Sequence, residues 1–149
     1  MKLILVIGLL LSQIALAQTQ GGETLIVHLP NIQNSKGNLV YAFYADEVSF
    51  NVRKNEYRAG VIKAVKGQFQ INVSGFSPGF YAFTVFHDEN ENGELDFWWK
   101  VPLEYVGISN INGKIKDDPK WDEVKFEIKK NTLNEISVRM VNYNPKRFL

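Results

Sequence analysis

The chain has 149 residues with 17 basic and 16 acidic side chains, a net charge of +1, 13% aromatic residues and no cysteine. So even a charge balance leaves no electrostatic footprint for nucleic acid or anionic lipid, and the missing cysteines exclude a disulfide framework. A chain of this size can bury one domain core without such staples.

Residues 1–17 read as an export signal. Lys2 gives a positive start, Leu3–Leu11 an apolar run, and Ala15-Leu16-Ala17 a small-x-small cleavage site. The run is too short to span a bilayer, and no cysteine follows it to carry a lipid. Cleavage would leave 18–149 as a single β-domain with no membrane span, periplasmic or extracellular. Losing Lys2 makes the mature chain balanced in charge.

Gln18–Glu23 is polar and glycine-rich, a frayed start. Thr24–Leu29 alternates, with Leu25, Val27 and Leu29 on one face. Pro30-Asn31 ends that strand, and Asn34–Asn38 is a turn centred on Gly37. Leu39–Ala45 is a second strand. Asp46–Gly60 has weak periodicity, and two readings stay open there: a long loop or a short helical turn.

Val61–Val65 alternates apolar residues with lysine, as an exposed strand does. Phe69–Val73 and Phe80–His87 follow, the latter after the tight turn Gly75–Gly79. Phe80–His87 is apolar on both faces, which predicts a central position. Lys125–Ile128 and Glu135–Val141 complete the alternating segments, with Asn131 between them. No stretch past the signal keeps a helical period over ten residues. About seven short strands predict an all-β fold, a single antiparallel β-sandwich of immunoglobulin- or prealbumin-like kind with one long functional loop. The core should hold Phe43, Phe83, Val85, Phe126 and Val138. The phrase Ser77-Pro78-Gly79-Phe80-Tyr81 resembles the strand entry of prealbumin-like modules.

The loop His87–Asp96 carries the chemistry. Counting from Asp88, oxygen-bearing side chains fall at positions 1, 3, 5 and 9 (Asp88, Asn90, Asn92, Asp96), with Gly93 at 6 and Glu94 at 7. Calcium takes six to eight oxygens, and ligands at alternate positions wrap a loop around it. Gly93 permits the turn that points the Glu94 carbonyl inward. An EF-hand needs a glutamate at position 12, where Trp99 stands. The pattern resembles instead the nine-residue D-x-D-x-D-G-x-x-D calcium loops between β-strands. With Asp88 and Asp96 as its charged ligands, the site would be weak, roughly 0.1–1 mM. The opposing reading is a metal-free hairpin tip, since Asn92-Gly93 is a strong turn signal.

His87-Asp88-x-Asn90-x-Asn92-Gly93-x-Leu95-Asp96, followed by Pro102-x-Glu104-x-x-Gly107-x-Ser109-Asn110, resembles the signature of an exported bacterial family, domain of unknown function 2141. The likeness continues through Pro119-x-Trp121-Asp122-Glu123-Val124-x-Phe126. One departure is Lys100, where the family usually has glycine. The resemblance implies one β-sandwich domain and export, and brings no activity with it.

Around the loop, His87 suits a bracing hydrogen bond. Glu104 is either a further oxygen ligand or a cap on backbone amides. Ser109 lacks the glycines of a nucleophile elbow, and it stands with Asn110 as a weak ligand-binding candidate. Trp98 and Trp99 cannot both face inward on one strand, so one is expected at the surface, suited to a sugar ring or a partner protein. The leading expectation is a non-catalytic exported module whose calcium loop orders a binding surface for a protein or glycan. The alternative is a glycan-active enzyme or sugar-binding domain using Asp88, Glu104 or Asp96 beside the tryptophans.

Overall fold

The computed structural model describes residues 21–114 and 117–143, so the expected signal at 1–17 lies outside the described residues. Eleven strands form: β1 (Glu23–Ile32), β2 (Asn38–Tyr44), β3 (Arg58–Lys63), β4 (Gly67–Phe76), β5 (Gly79–Asp88), β6 (Phe97–Trp98), β7 (Val101–Pro102), β8 (Tyr105–Ile108), β9 (Phe126–Ile128), β10 (Asn134–Ser137) and β11 (Val141–Asn142). Several have only two to four residues, which is why the count exceeds the seven expected from alternation.

One sheet has the order β10-β1-β4, and a larger one runs β11-β8-β5-β2-β3 with β9 also on β5. The apolar β5 is central, as its two-faced sequence predicts. It pairs antiparallel with β2 (Phe43 opposite Phe83), with β8 and with β9. Its Tyr81, Phe83, Val85 and His87 are all buried.

One core cluster takes Leu25, Val27 and Leu29 from β1, Ile71 and Phe76 from β4, Leu39 and Phe43 from β2, and Phe83 and Val85 from β5. The Phe43 and Phe83 rings lie 4.8 Å apart, and Phe43 meets Phe76 edge-on at 5.1 Å. All five residues expected in the core are there.

Two expectations need correction. The fold is not antiparallel throughout: β10 lies parallel to β1, because the chain leaves β9 on the large sheet and crosses to the small one. Glu135–Val141 is not one strand. Its first part pairs with β1 and its last residue with β8, so unbroken alternation hides a change of sheet.

The undecided stretch after β2 contains a helix, α1 (Glu47–Val52). The Asp46 side chain caps it by accepting the Ser49 amide at 2.8 Å, and Arg53 ends it at φ 52°. Phe50 buries fully in a second cluster with Tyr44, Ala82 and Val124. Val124 comes from the short helix α2 (Trp121–Val124).

Candidate functional site

The acidic loop leaves β5 at a locked root. Asn38 opposes Asp88 at the end of the β2–β5 pairing. Gly37, at φ +61°, packs so tightly there that an added Cβ would lie 1.8 Å from the Asp88 carbonyl oxygen. His87, 1% exposed, donates from Nε2 to the Lys36 carbonyl at 2.6 Å. The expected brace therefore exists, but it fastens the Gly37 turn, and the turn in turn seats the loop.

Within the loop the four side chains at positions 1, 3, 5 and 9 are brought together. Asp88 is buried, and its two oxygens accept the amides of Asn92 (3.1 Å) and Gly93 (2.9 Å). The Asp96 carboxylate accepts the side-chain amides of Asn90 (2.7 Å) and Asn92 (3.1 Å). Asn90 Oδ1 accepts the Asn92 amide, and Asn92 Oδ1 accepts the Glu94 amide. Asn92 thus touches both carboxylates, one through its backbone and one through its side chain. Gly93 holds the left-handed turn at φ 79°, and Glu91, also left-handed, pairs with Lys63 on β3. Among the described residues no three His, Cys, Asp or Glu side chains form a metal-binding group. The oxygen set here is two carboxylates and two amides.

Glu104 closes the loop from beneath. It is 7% exposed, and its oxygens accept the backbone amides of Glu89 (3.2 Å) and Asp96 (3.4 Å). Of the two roles open from the sequence, the amide cap is present in these two bonds. Burial pushes its pKa up to about 7, helped by the Asp88 and Asp96 charges and opposed by the two amides.

From Asp96 the chain enters a hairpin of β6 and β7, which among the described residues pair with each other alone. The Leu103 amide closes its base on the Asp96 carbonyl at 2.9 Å. At the turn of this hairpin Trp99 takes the left-handed conformation, φ 57°. A bulky residue rarely adopts it. Both tryptophans are exposed, 47% for Trp98 and 88% for Trp99, and Phe97 joins them at 55%. Both indoles are at the surface where one was expected, because β6 pairs with β7 and not with the larger sheets.

Residues 27–136 match the model of a family described as an uncharacterized protein conserved in bacteria, DUF2141. The chain belongs to that family. No curated protein and no solved structure matches it. The DUF2141 match takes in the loop, the hairpin and Glu104 together.

Two residues of the family-like motif sit elsewhere in this DUF2141 chain. Ser109 is fully buried at the end of β8; its hydroxyl donates to the Val124 carbonyl (2.7 Å) and accepts the Phe83 amide (3.0 Å). Asn110 donates to the Lys125 carbonyl at 2.7 Å. Both tie the α2 region to the sheet, and neither reaches the loop.

Sequence reasoning missed a groove of about 1000 Å³ on the outer face of the large sheet. Val40, Ala42, Thr84, Phe86, Val106 and Ile108 floor it, and Phe97, Val101 and Pro102 of the hairpin line it too. The only available signal was Phe86, apolar on the face of β5 turned away from the core.

Proposed function

We propose that this protein is an exported, non-catalytic module built as a β-sandwich, in which calcium held by the 88–96 loop orders a binding surface on the Trp98–Trp99 hairpin. The observation that carries the reading is the meeting of Asp88 and Asp96 at Asn92. Calcium needs six to eight oxygens. Asp88, Asn90, Asn92, the Glu94 carbonyl and Asp96 offer them at alternating positions. The asparagine oxygens that accept backbone amides each keep a second lone pair for an ion. Asp96 links ion to surface, since its carboxylate belongs to the loop and its carbonyl closes the hairpin. A core shared between β1 and β4 on one side and β2 and β5 on the other supports the sandwich.

The rival is a glycan-active enzyme using Asp88, Asp96 or Glu104. A pKa near 7 would suit a general acid. Yet Glu104 is buried under the loop with both oxygens on backbone amides, and none of the three carboxylates lines the groove. Native mass spectrometry of protein purified without chelator, with calcium titrated to millimolar, tests the proposal. One calcium per chain, lost in Asp96→Asn, is expected. An unchanged mass throughout the titration would remove the calcium and leave a plain polar hairpin.

A further inference from the structure

We infer that the tip of the β6–β7 hairpin, Phe97–Lys100, seats itself in the headgroup zone of an electrically neutral phospholipid bilayer. This names the partner of the hairpin surface proposed above and rests on that surface being the binding one; calcium is needed only to order it.

Three adjacent aromatic residues, Phe97, Trp98 and Trp99, stand 55%, 47% and 88% exposed. Successive strand residues point to opposite faces, so Phe97 and Trp98 turn to different sides of the hairpin. Phe97 looks along the groove, and Trp99 occupies the turn beyond them at φ 57°. Phe97 lines the groove on one side while Trp98 turns to the other and Trp99 caps the turn, so the exposed apolar surface is spread over the tip and not confined to one face. A protein face or a sugar ring can cover one side of such a wedge. A fluid interface that closes around it covers every side at once. Indole rings favour that zone, with the ring among the upper acyl carbons and the N–H toward water. Lys100 at the same turn can reach a phosphate oxygen while its stem stays with the rings.

The charge pattern selects the lipid. Of the acidic side chains at the root of the hairpin, Asp88 is buried and Glu91 is paired with Lys63, which leaves Glu89 and Glu94 beside Asp96. Lys100 is the one cation of Phe97–Lys100, so no basic cluster draws the tip to an anionic surface, with calcium bound or without. Attachment must come from aromatic partition, which suits zwitterionic headgroups. Three aromatic side chains on one hairpin are a modest anchor, so the association should be reversible.

The test uses the whole mature chain with phosphatidylcholine–phosphatidylethanolamine vesicles, in calcium and in EDTA. Readouts are cosedimentation and quenching of tryptophan emission by brominated lipid. In calcium the protein should sediment with vesicles and its emission should be quenched. Trp98→Ala/Trp99→Ala should still unfold in one cooperative melt, lose the quenching and bind at least about tenfold less, the loss expected when most of the inserted apolar area is removed. Binding and quenching that are equal in calcium and EDTA would uphold the membrane seat and remove calcium from the functional reading. Wild type left in the supernatant in both buffers, while calcium still raises the melt, would overturn the membrane seat and leave the calcium loop standing. Binding to anionic vesicles alone, without quenching, would also overturn it.

Discussion

The Asn31 side chain holds both backbone groups of Met140: Nδ2 donates to the carbonyl at 2.8 Å and Oδ1 accepts the amide at 3.0 Å. An amide side chain here does what a neighbouring strand does elsewhere. It sits where the chain leaves β10 on the small sheet and heads for β11 on the large one, and it supplies the ladder that neither sheet provides.

Replacing Asn31 by alanine leaves two backbone groups of a buried residue without their partner. The expected loss is about 1–3 kcal/mol in chemical denaturation. Exchange of the Met140 amide should accelerate by more than that of its neighbours in β11. A leucine replacement should lose as much, because the cost comes from the polar groups and not from volume.

Phe83 lies at the centre of the core, fully buried against Phe43 and Tyr41. Phe83→Ala should cost about 3–5 kcal/mol by denaturant titration. Trp99→Ala, at a position 88% exposed, should stay within about 0.5 kcal/mol, because alanine keeps the Cβ that strains the left-handed turn; Trp99→Gly should be slightly stabilising.

Glu104 predicts a pH dependence of definite sign. Its pKa is raised from 4.5 to about 7, so between these values the folded chain holds a proton that the unfolded chain has released. The stability from this group is full below about pH 4.5 and falls away as pH rises through about 7. Glu104→Gln should flatten that part of the curve. If calcium binds at Asp88 and Asp96 beside it, the ion favours the ionised form, and calcium affinity should weaken as pH drops below about 7.

For a dissociation constant of ~0.1 mM, 1 mM calcium would stabilise the fold by about 1.4 kcal/mol. Thermal melts should then rise by roughly 3–6 °C over EDTA. The structure decides which variant reads this cleanly. Asp88 is buried and holds the amides of Asn92 and Gly93, so Asp88→Ala should weaken the chelated protein as well. Asp96→Asn keeps acceptor and size, and should abolish the calcium increment with little change in EDTA. Magnesium, which demands a smaller octahedral shell, should give no comparable rise.

The centrality of β5, the core phenylalanines and the position of the loop were all legible, since each depends on local alternation or on turn residues close in sequence. The helix α1 was half-legible: Asp46 with Ser49 three residues on is a cap signal, but six residues carry no period. What alternation could not disclose is which strand lies beside which. Thus Glu135–Val141 looks like one strand although its ends serve different sheets. Phe97, a groove-lining residue, gave no signal beyond its place in an aromatic run, and the groove itself comes from elements far apart in sequence. The bond of His87 to the Lys36 carbonyl likewise spans 51 residues and has no local trace.

The parallel partnership of β1 and β10 sets a timetable. Among the described strands β1 comes first in sequence, and the contacts at its end join residues 109 apart, Asn31 to Met140. It can pair with β4 early, yet its other edge waits for β10, about a hundred residues further on. Closing so long a loop is slow, and an incomplete chain carries an open edge backed by Leu25, Val27 and Leu29. For a polypeptide exported as proposed, that delay is useful. A chain whose first-formed sheet closes late would stay threadable for longer.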